Sequence, residues 1–149
     1  MHKALIITLI LTLSLSGFSQ NKTDDITRIT QTVQHYYEGY IERDIDKLNT
    51  AFDTDYGTMK VPVNTNDSSK GYKNVYFKEL IPKWRNRKKL SESELQDCAL
   101  HILNIDVEPG NIASTKMSMT VKDVTYIDIL SLHNINGEWK ITNKIYHVK

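Results

Sequence analysis

Residues 112–148 read IASTKMSMTVKDVTYIDILSLHNINGEWKITNKIYHV, and this stretch decides the fold. Apolar and polar side chains alternate with a period of two, the signature of strands covered by a core on one face. Lys122-Asp123 and Asn136-Gly137 interrupt the alternation at hairpin positions, the second most strongly, because Asn and Gly both tolerate positive φ. Pro109-Gly110 supplies a third turn upstream. Strands are therefore expected near residues 95–108, 112–122, 124–135 and 138–148, as one antiparallel meander.

Two-residue turns fix register, and register fixes faces. Around Asn136-Gly137, Asn134 should meet Trp139, Leu132 Ile141, Leu130 Asn143 and Asp128 Ile145. The other two turns set Met119 against Tyr126, Met117 against Asp128 and Ile102 against Met117. One face then carries Leu100, Ile102, Met117, Met119, Val121, Tyr126, Leu130, Leu132, Trp139, Ile141 and Ile145, with Asp128, Asn143 and His147 as polar exceptions. An inward Asp128 must have a partner or a purpose, because an unpaired buried carboxylate costs several kcal/mol. The opposite face holds Leu103, Ile105, Ile112, Ile127, Ile129 and Ile135 among Lys116, Ser118, Ser131, Lys140 and Lys144. That is too apolar for a free surface and implies a two-fold homodimer through the outer sheet face. A β-bulge would shift this parity.

Before the strands come helices. Ile26, Ile29, Val33, Tyr36, Tyr37 and Tyr40 follow the three-and-four spacing of one helix face, with Asp24 or Asp25 as a cap. After a joint at Glu42–Asp44, with Gly39 just before it, Ile45, Leu48 and Phe52 resume the spacing behind Asp44 as N-cap. Tyr56–Val63 is rich in β-branched residues, and Pro62 puts it on an edge or ends it early. Asn64–Gly71 reads as a loop, and Phe77, Leu80, Ile81 and Trp84 as a third helix that Pro82 kinks or shortens. Helices followed by a meander make an α+β fold.

The 149 residues suit one core. Residues 1–20 have the layout of a signal peptide: His2 and Lys3, an apolar run from Ala4 to Leu15, then the small residues Gly17 and Ser19. The run is short for a bilayer, so a cleaved leader followed by a single domain over 21–149 is expected, with no membrane attachment after cleavage. A secreted or periplasmic location follows, in bacterial fashion. Eighteen basic and eighteen acidic side chains remain in residues 21–149, so nothing attracts polyanions globally. Glu92 and Glu94 directly follow the basic run Lys83–Lys89, which argues for a solvated helix end and against nucleic acid. Cys98 is the sole cysteine and excludes an internal disulfide.

The order of elements resembles the nuclear transport factor 2-like superfamily, and most closely its branch named Putative lumazine-binding. The residues that carry the resemblance are Tyr36-Tyr37-Glu38-Gly39-Tyr40, Asp44 with Leu48 and Phe52, Asp128-Ile129-Leu130-Ser131-Leu132, and Gly137-Glu138-Trp139-Lys140-Ile141 with Asn143 and Lys144. It implies a conical, cystatin-like fold, with N-terminal helices on a curved antiparallel sheet and a pocket between them, often in dimers. It implies no settled activity and no catalytic set to transfer.

Within such a pocket a small hydrophobic or aromatic molecule would meet Tyr36, Tyr40, Trp84 and Tyr126 by stacking, with Asp128 and Asn143 orienting its polar groups. This reading is a binding protein without catalysis. Isomerases and dehydratases on this fold use a carboxylate base beside tyrosine donors, which makes Asp128 the one catalytic candidate. The plainer alternative is Asp128 hydrogen-bonded to Asn143 or a Tyr hydroxyl as a structural pair. A third is a dimeric structural or interaction module. His101 and His147 share no metal-ligand spacing with acids, no glycine-rich phosphate loop occurs, and no serine or cysteine has a nucleophile context. No metal and no cofactor is expected.

Overall fold

A computed structural model of the chain describes residues 2–65 and 67–149, with residues 2–20 and Ser68 described by their backbone only. The expected signal segment, 1–20, thus lies outside the residues whose side chains are described. Helix α1 spans His2–Glu42, α2 Ile45–Ala51, α3 Phe77–Arg85 and α4 Glu92–Gln96. Strands β1 Thr58–Pro62, β2 Tyr72–Tyr76, β3 Ala99–Glu108, β4 Ile112–Val121, β5 Val124–Ile135 and β6 Glu138–Val148 form one sheet in the order β2-β1-β6-β5-β4-β3. Neighbours are antiparallel except β1 and β6, which run parallel. The fold is α+β, as the periodicities require, with a mixed sheet where a pure meander was expected.

Strand β2 had no counterpart in the sequence reading. It takes the edge, so Pro62 does not mark an edge strand but ends β1. Residues 92–96, expected to lead into a strand, form α4 instead. Ser91 and Glu94 close a reciprocal capping box there, a pairing of two orphan donors that starts a helix even without an apolar face.

Tyrosines and aliphatics of α1 bury as its periodicity demands: Ile29, Val33, Tyr36 and Tyr40 all enter the core, with Ile26 and Tyr37 half-buried beside them. Asp44 caps α2 as expected, its Oδ1 accepting from the amides of Asp46 at 2.9 Å and Lys47 at 3.1 Å. The joint before it needs Gly39, since a Cβ there would sit 2.8 Å from Leu48 Cγ and 2.9 Å from Leu48 N. Asp25 is not a cap. It is buried inside a continuous helix, and its carboxylate accepts from Trp139 Nε1 at 2.9 Å and from the Gly110 amide at 2.7 Å. One side chain of α1 thereby holds β6 and the β3–β4 turn.

The hairpin counting holds for the pairs nearest the two-residue turns. Asn136 and Gly137 have φ of 53° and 87°, and Leu132 meets Ile141. Met117 meets Asp128 through the turn at Lys122, whose φ is 60°. The β3–β4 turn has three residues, Glu108 pairing with Ile112, but a bulge at Leu103 restores the expected Ile102–Met117 pair. Between these irregularities Ile105 turns toward the core and leaves the outer face. A second bulge, at Thr142, has the larger effect: Leu130 now pairs with Lys144 and Asp128 with Tyr146. The expected partners Asn143 and Ile145 are displaced by one residue, so Ile145 and His147 move outward and Lys144, Tyr146 and Val148 inward.

The Asp25 clamp yields a direct test. Asp25→Ala strands two donors, at about 1–3 kcal/mol for each one left unpaired, whereas Asp24→Ala removes only an exposed pair with Arg28, which is worth less than about 1 kcal/mol. Urea unfolding should rank the two variants in that order. Equal midpoints would show that the clamp contributes nothing.

Candidate functional site

Three polar side chains meet under the helices. Tyr36 comes from the buried stripe of α1, Asp128 from the hollow face of β5, and Lys144 from β6 just past the Thr142 bulge. The Tyr36 hydroxyl donates to Asp128 Oδ2 at 2.8 Å. Lys144 Nζ donates to the Tyr36 hydroxyl oxygen at 2.6 Å and also contacts Asp128 Oδ2 as an ion pair. Asp128 and Tyr36 are at most 1% exposed and Lys144 4%, so these groups have exchanged water for each other.

Burial sets their electrostatics. It pushes the Lys144 ammonium below its usual range, and the charge and hydrogen bond of Asp128 oppose that only in part. The Tyr36 phenol is driven well above its usual value, first by burial and then by the adjacent Asp128 charge. Tyr36 is therefore a fixed proton donor at all ordinary pH.

Beside the triad lies a cavity of about 240 Å³, lined by Tyr36, Tyr40, Met59, Trp84, Arg87, Met119, Tyr126, Lys144, Tyr146 and Val148. Trp84 reaches it because Pro82, although inside α3, leaves Phe77, Leu80, Ile81 and Trp84 on one buried face. Its ring stacks on Tyr36 at a centroid distance of 6.3 Å and meets Tyr40 edge-on at 5.5 Å. Lys144 Nζ sits 5.0 Å from the Tyr36 ring centre and 5.4 Å from that of Tyr146, close enough for cation–π attraction.

Of the residues singled out in the sequence, Tyr36, Tyr40, Trp84 and Tyr126 line this cavity. Asp128 lies one layer behind the lining, held by Tyr36 and Lys144. Asn143 does not reach the cavity: the bulge turns it toward β1, where its Nδ2 donates to Thr58 O at 3.2 Å and Thr58 Oγ1 at 3.1 Å. Lys144, which alternation placed on the outer face, takes the position that Asn143 was expected to hold. Its charge was the only signal available: a buried carboxylate seeks a cation, and Lys144 is adjacent in sequence to the pairing site expected of Asn143. Arg87 and Tyr146 were also missed, Tyr146 for the same reason. Among the described residues no three His, Cys, Asp or Glu side chains gather as metal ligands.

Comparison places the chain's sequence and fold among known proteins. The family described as "Putative lumazine-binding" matches residues 24–147. Among solved structures, an NTF2-like protein of unknown function from Shewanella baltica OS155 superposes with a TM-score of 0.70 at 20% identity, over 85% of this chain and 95% of that one. A second NTF2-like protein of unknown function, from Silicibacter pomeroyi DSS-3, gives 0.70 at 16% identity, over 86% and 98%. A ketosteroid isomerase-like protein from Erwinia carotovora atroseptica SCRI1043 gives 0.56 at 15% identity, over 82% and 94%. Among curated proteins none matches the sequence. At these identities the likeness establishes the fold, a nuclear transport factor 2-like cone, and transfers no chemistry.

The triad predicts a non-additive pair of variants. Lys144→Met leaves a buried carboxylate without a countercharge and should cost about 3–5 kcal/mol, while the double variant Asp128→Asn/Lys144→Met should recover most of that loss. A lowered Lys144 pKa also means that the folded state releases its proton first. Wild-type stability relative to the double variant should thus rise with pH through the window that ends at the ordinary value of 10.5. Denaturant titrations across that range check both statements.

Proposed function

The chain belongs to the Putative lumazine-binding family, and on that premise we propose that it is a noncatalytic binding protein for a small aromatic molecule, held between the α1 tyrosines, Trp84 and Lys144. One observation carries the reading: among the described residues the only buried acid on the hollow face is Asp128, whose Oδ2 is held by Lys144 and Tyr36 while its Oδ1 is shut away from the cavity without a partner. A catalytic base needs a free carboxylate within reach of a substrate proton, and Asp128 stands behind the lining. What remains at the wall is a set of rings and hydrogen-bond donors. They suit recognition of a planar molecule by stacking and by its acceptor atoms.

Size narrows the choice. The cavity of about 240 Å³ exceeds the ~150 Å³ that admits benzene and falls below the ~300–1,000 Å³ of sites for drug-sized ligands. One or two fused rings fit this range, and a four-ring skeleton does not. For roughly a dozen heavy atoms a micromolar dissociation constant requires about 0.7 kcal/mol per atom, within the range small ligands reach.

Two further elements belong to the proposal. Export rests on the leader-like composition of residues 1–20. A homodimer through the outer sheet face rests on Leu103, Ile112, Ile129 and Ile145, each at least 44% exposed, and on an open groove of about 570 Å³ that Ile127, Ile129 and Ile145 line between Tyr72 and His147. Light scattering of residues 21–149 at micromolar concentration should return twice the chain mass; a monomer there rules the dimer out.

Titration with lumazine, the pteridine dione of the family description, tests the pocket. Trp84 fluorescence should quench saturably, and Trp84→Phe should remove the response while Trp139, bound to Asp25 away from the cavity, stays silent. No quenching by lumazine or by other one- and two-ring aromatics, with no thermal shift, would end the binding reading.

A further inference from the structure

The mouth of the cavity carries a charge arrangement that the inner wall does not need. Tyr40 lines both the cavity and the groove beside it, and two guanidinium groups lie against its ring, Arg43 from the α1–α2 joint and Arg87 from beyond α3, each with its central carbon 5.4 Å from the ring centroid. Arg87 also donates to the Tyr40 hydroxyl, and Arg43 to the carbonyl oxygens of Tyr40 and Lys88. Those bonds fix both side chains yet leave the Nη2 of each without a partner among the described residues.

No described carboxylate pairs with Arg43, Arg87, Lys88 or Lys89, although six ion pairs form elsewhere. All four cations line a groove of about 370 Å³ that opens beside the cavity and shares Tyr40, Arg87 and Tyr126 with it. The acids of that groove are Glu94, spent on Lys122 at 2.9 Å, and Asp123. Burial lowers the Arg43 pKa first of all and the neighbouring Arg87 charge adds to the lowering, opposed by the Tyr40 hydroxyl and the Cys98 thiol. Two fixed like charges at the rim of a low-dielectric opening repel each other and focus a positive potential into it. A planar fork of donors matches carboxylate and phosphate groups in particular.

At the inner end the balance is different. Lys144 and Asp128 cancel, so that end offers donors without net charge. The cavity is thus neutral inside and cationic at its rim.

We propose that the ligand is a planar aromatic anion, its ring inserted between Tyr36, Trp84 and Tyr126 and its acidic group held at the rim by Arg43 and Arg87. This rests on the binding reading above and adds to it the sign and position of the ligand's charge. Arg87 belongs to the basic run Lys83–Lys89. That run, unsuited to nucleic acid, finds its use in a small anion.

The test uses residues 21–149 with 2-naphthoate and 2-naphthamide, two bicycles of the same shape that differ in charge, titrated by calorimetry and by heteronuclear NMR. Naphthoate should bind at least tenfold more tightly than naphthamide, and the margin should shrink as sodium chloride rises from about 20 to 300 mM. Arg87→Gln, at an exposed side chain that leaves the core untouched, should cut naphthoate affinity about tenfold and naphthamide affinity by much less, so that the ratio between the two probes falls. Arg43→Gln/Arg87→Gln should abolish the preference, and Lys88→Gln/Lys89→Gln should retain most of it. Equal affinities for the two probes, or a preference that survives loss of both arginines, would overturn the anion assignment while leaving the pocket in place. Absence of binding by both probes, with no shift at Trp84, would overturn the pocket as well, so the two failures are distinguishable.

Discussion

A carboxylate on the hollow face of a sheet must be matched where it stands, and the pairing of Asp128 with Lys144 is the constraint around which this fold is arranged. Both groups are almost wholly removed from water, and an ion so placed carries a penalty of several kcal/mol unless geometry and further hydrogen bonds offset it. Tyr36 adds a second donor to the same oxygen, Oδ2, and leaves Oδ1 buried without a partner. The arrangement ties three distant segments, α1, β5 and β6, to one point. Buried pairs of this kind contribute little net stability compared with apolar replacements. Their effect here is to fix which side chains surround the cavity and to keep its inner end uncharged.

The match exists because of one extra residue. Thr142 interrupts the β5–β6 ladder, its hydroxyl donating to Ser131 O at 3.3 Å and lying 2.8 Å from His133 Nδ1. Beyond it every side chain of β6 changes face. The strand is apolar on the hollow side up to Ile141 and carries Lys144 and Tyr146 there afterward. Bulges commonly re-aim side chains beside functional sites, and this one turns a lysine from solvent to the chamber.

The same residue marks the boundary of what could be read from the sequence. Turn chemistry at Lys122-Asp123 and Asn136-Gly137 is local, so strand limits, the face of Asp128 and the pairs nearest the turns were all legible. The Ile102–Met117 pair emerged correctly through two cancelling irregularities, a third turn residue at Asn111 and the bulge at Leu103. Nothing local announces Thr142, because Thr is at home in any strand. Asn143 was accordingly chosen over Lys144, and Ile145 over Tyr146. Strand β2 escaped for a related reason: only one of its five residues is even half-buried, so it offers no alternation to detect. In α1 the stripe of Tyr36 and Tyr40 declared the core, and Trp84 did so in α3. The role of Asp25 was hidden, since a carboxylate early in a helix face reads equally well as a cap.

That role bears on the order in which the chain can acquire its shape. The partners of Asp25 lie 85 and 114 positions downstream, so α1 cannot lock onto the sheet until the final hairpin has left the ribosome. Contacts of such separation form late and slow the search for the native topology. An early helix that stays unlatched until Trp139 has been made remains accessible to whatever binds nascent chains throughout that interval.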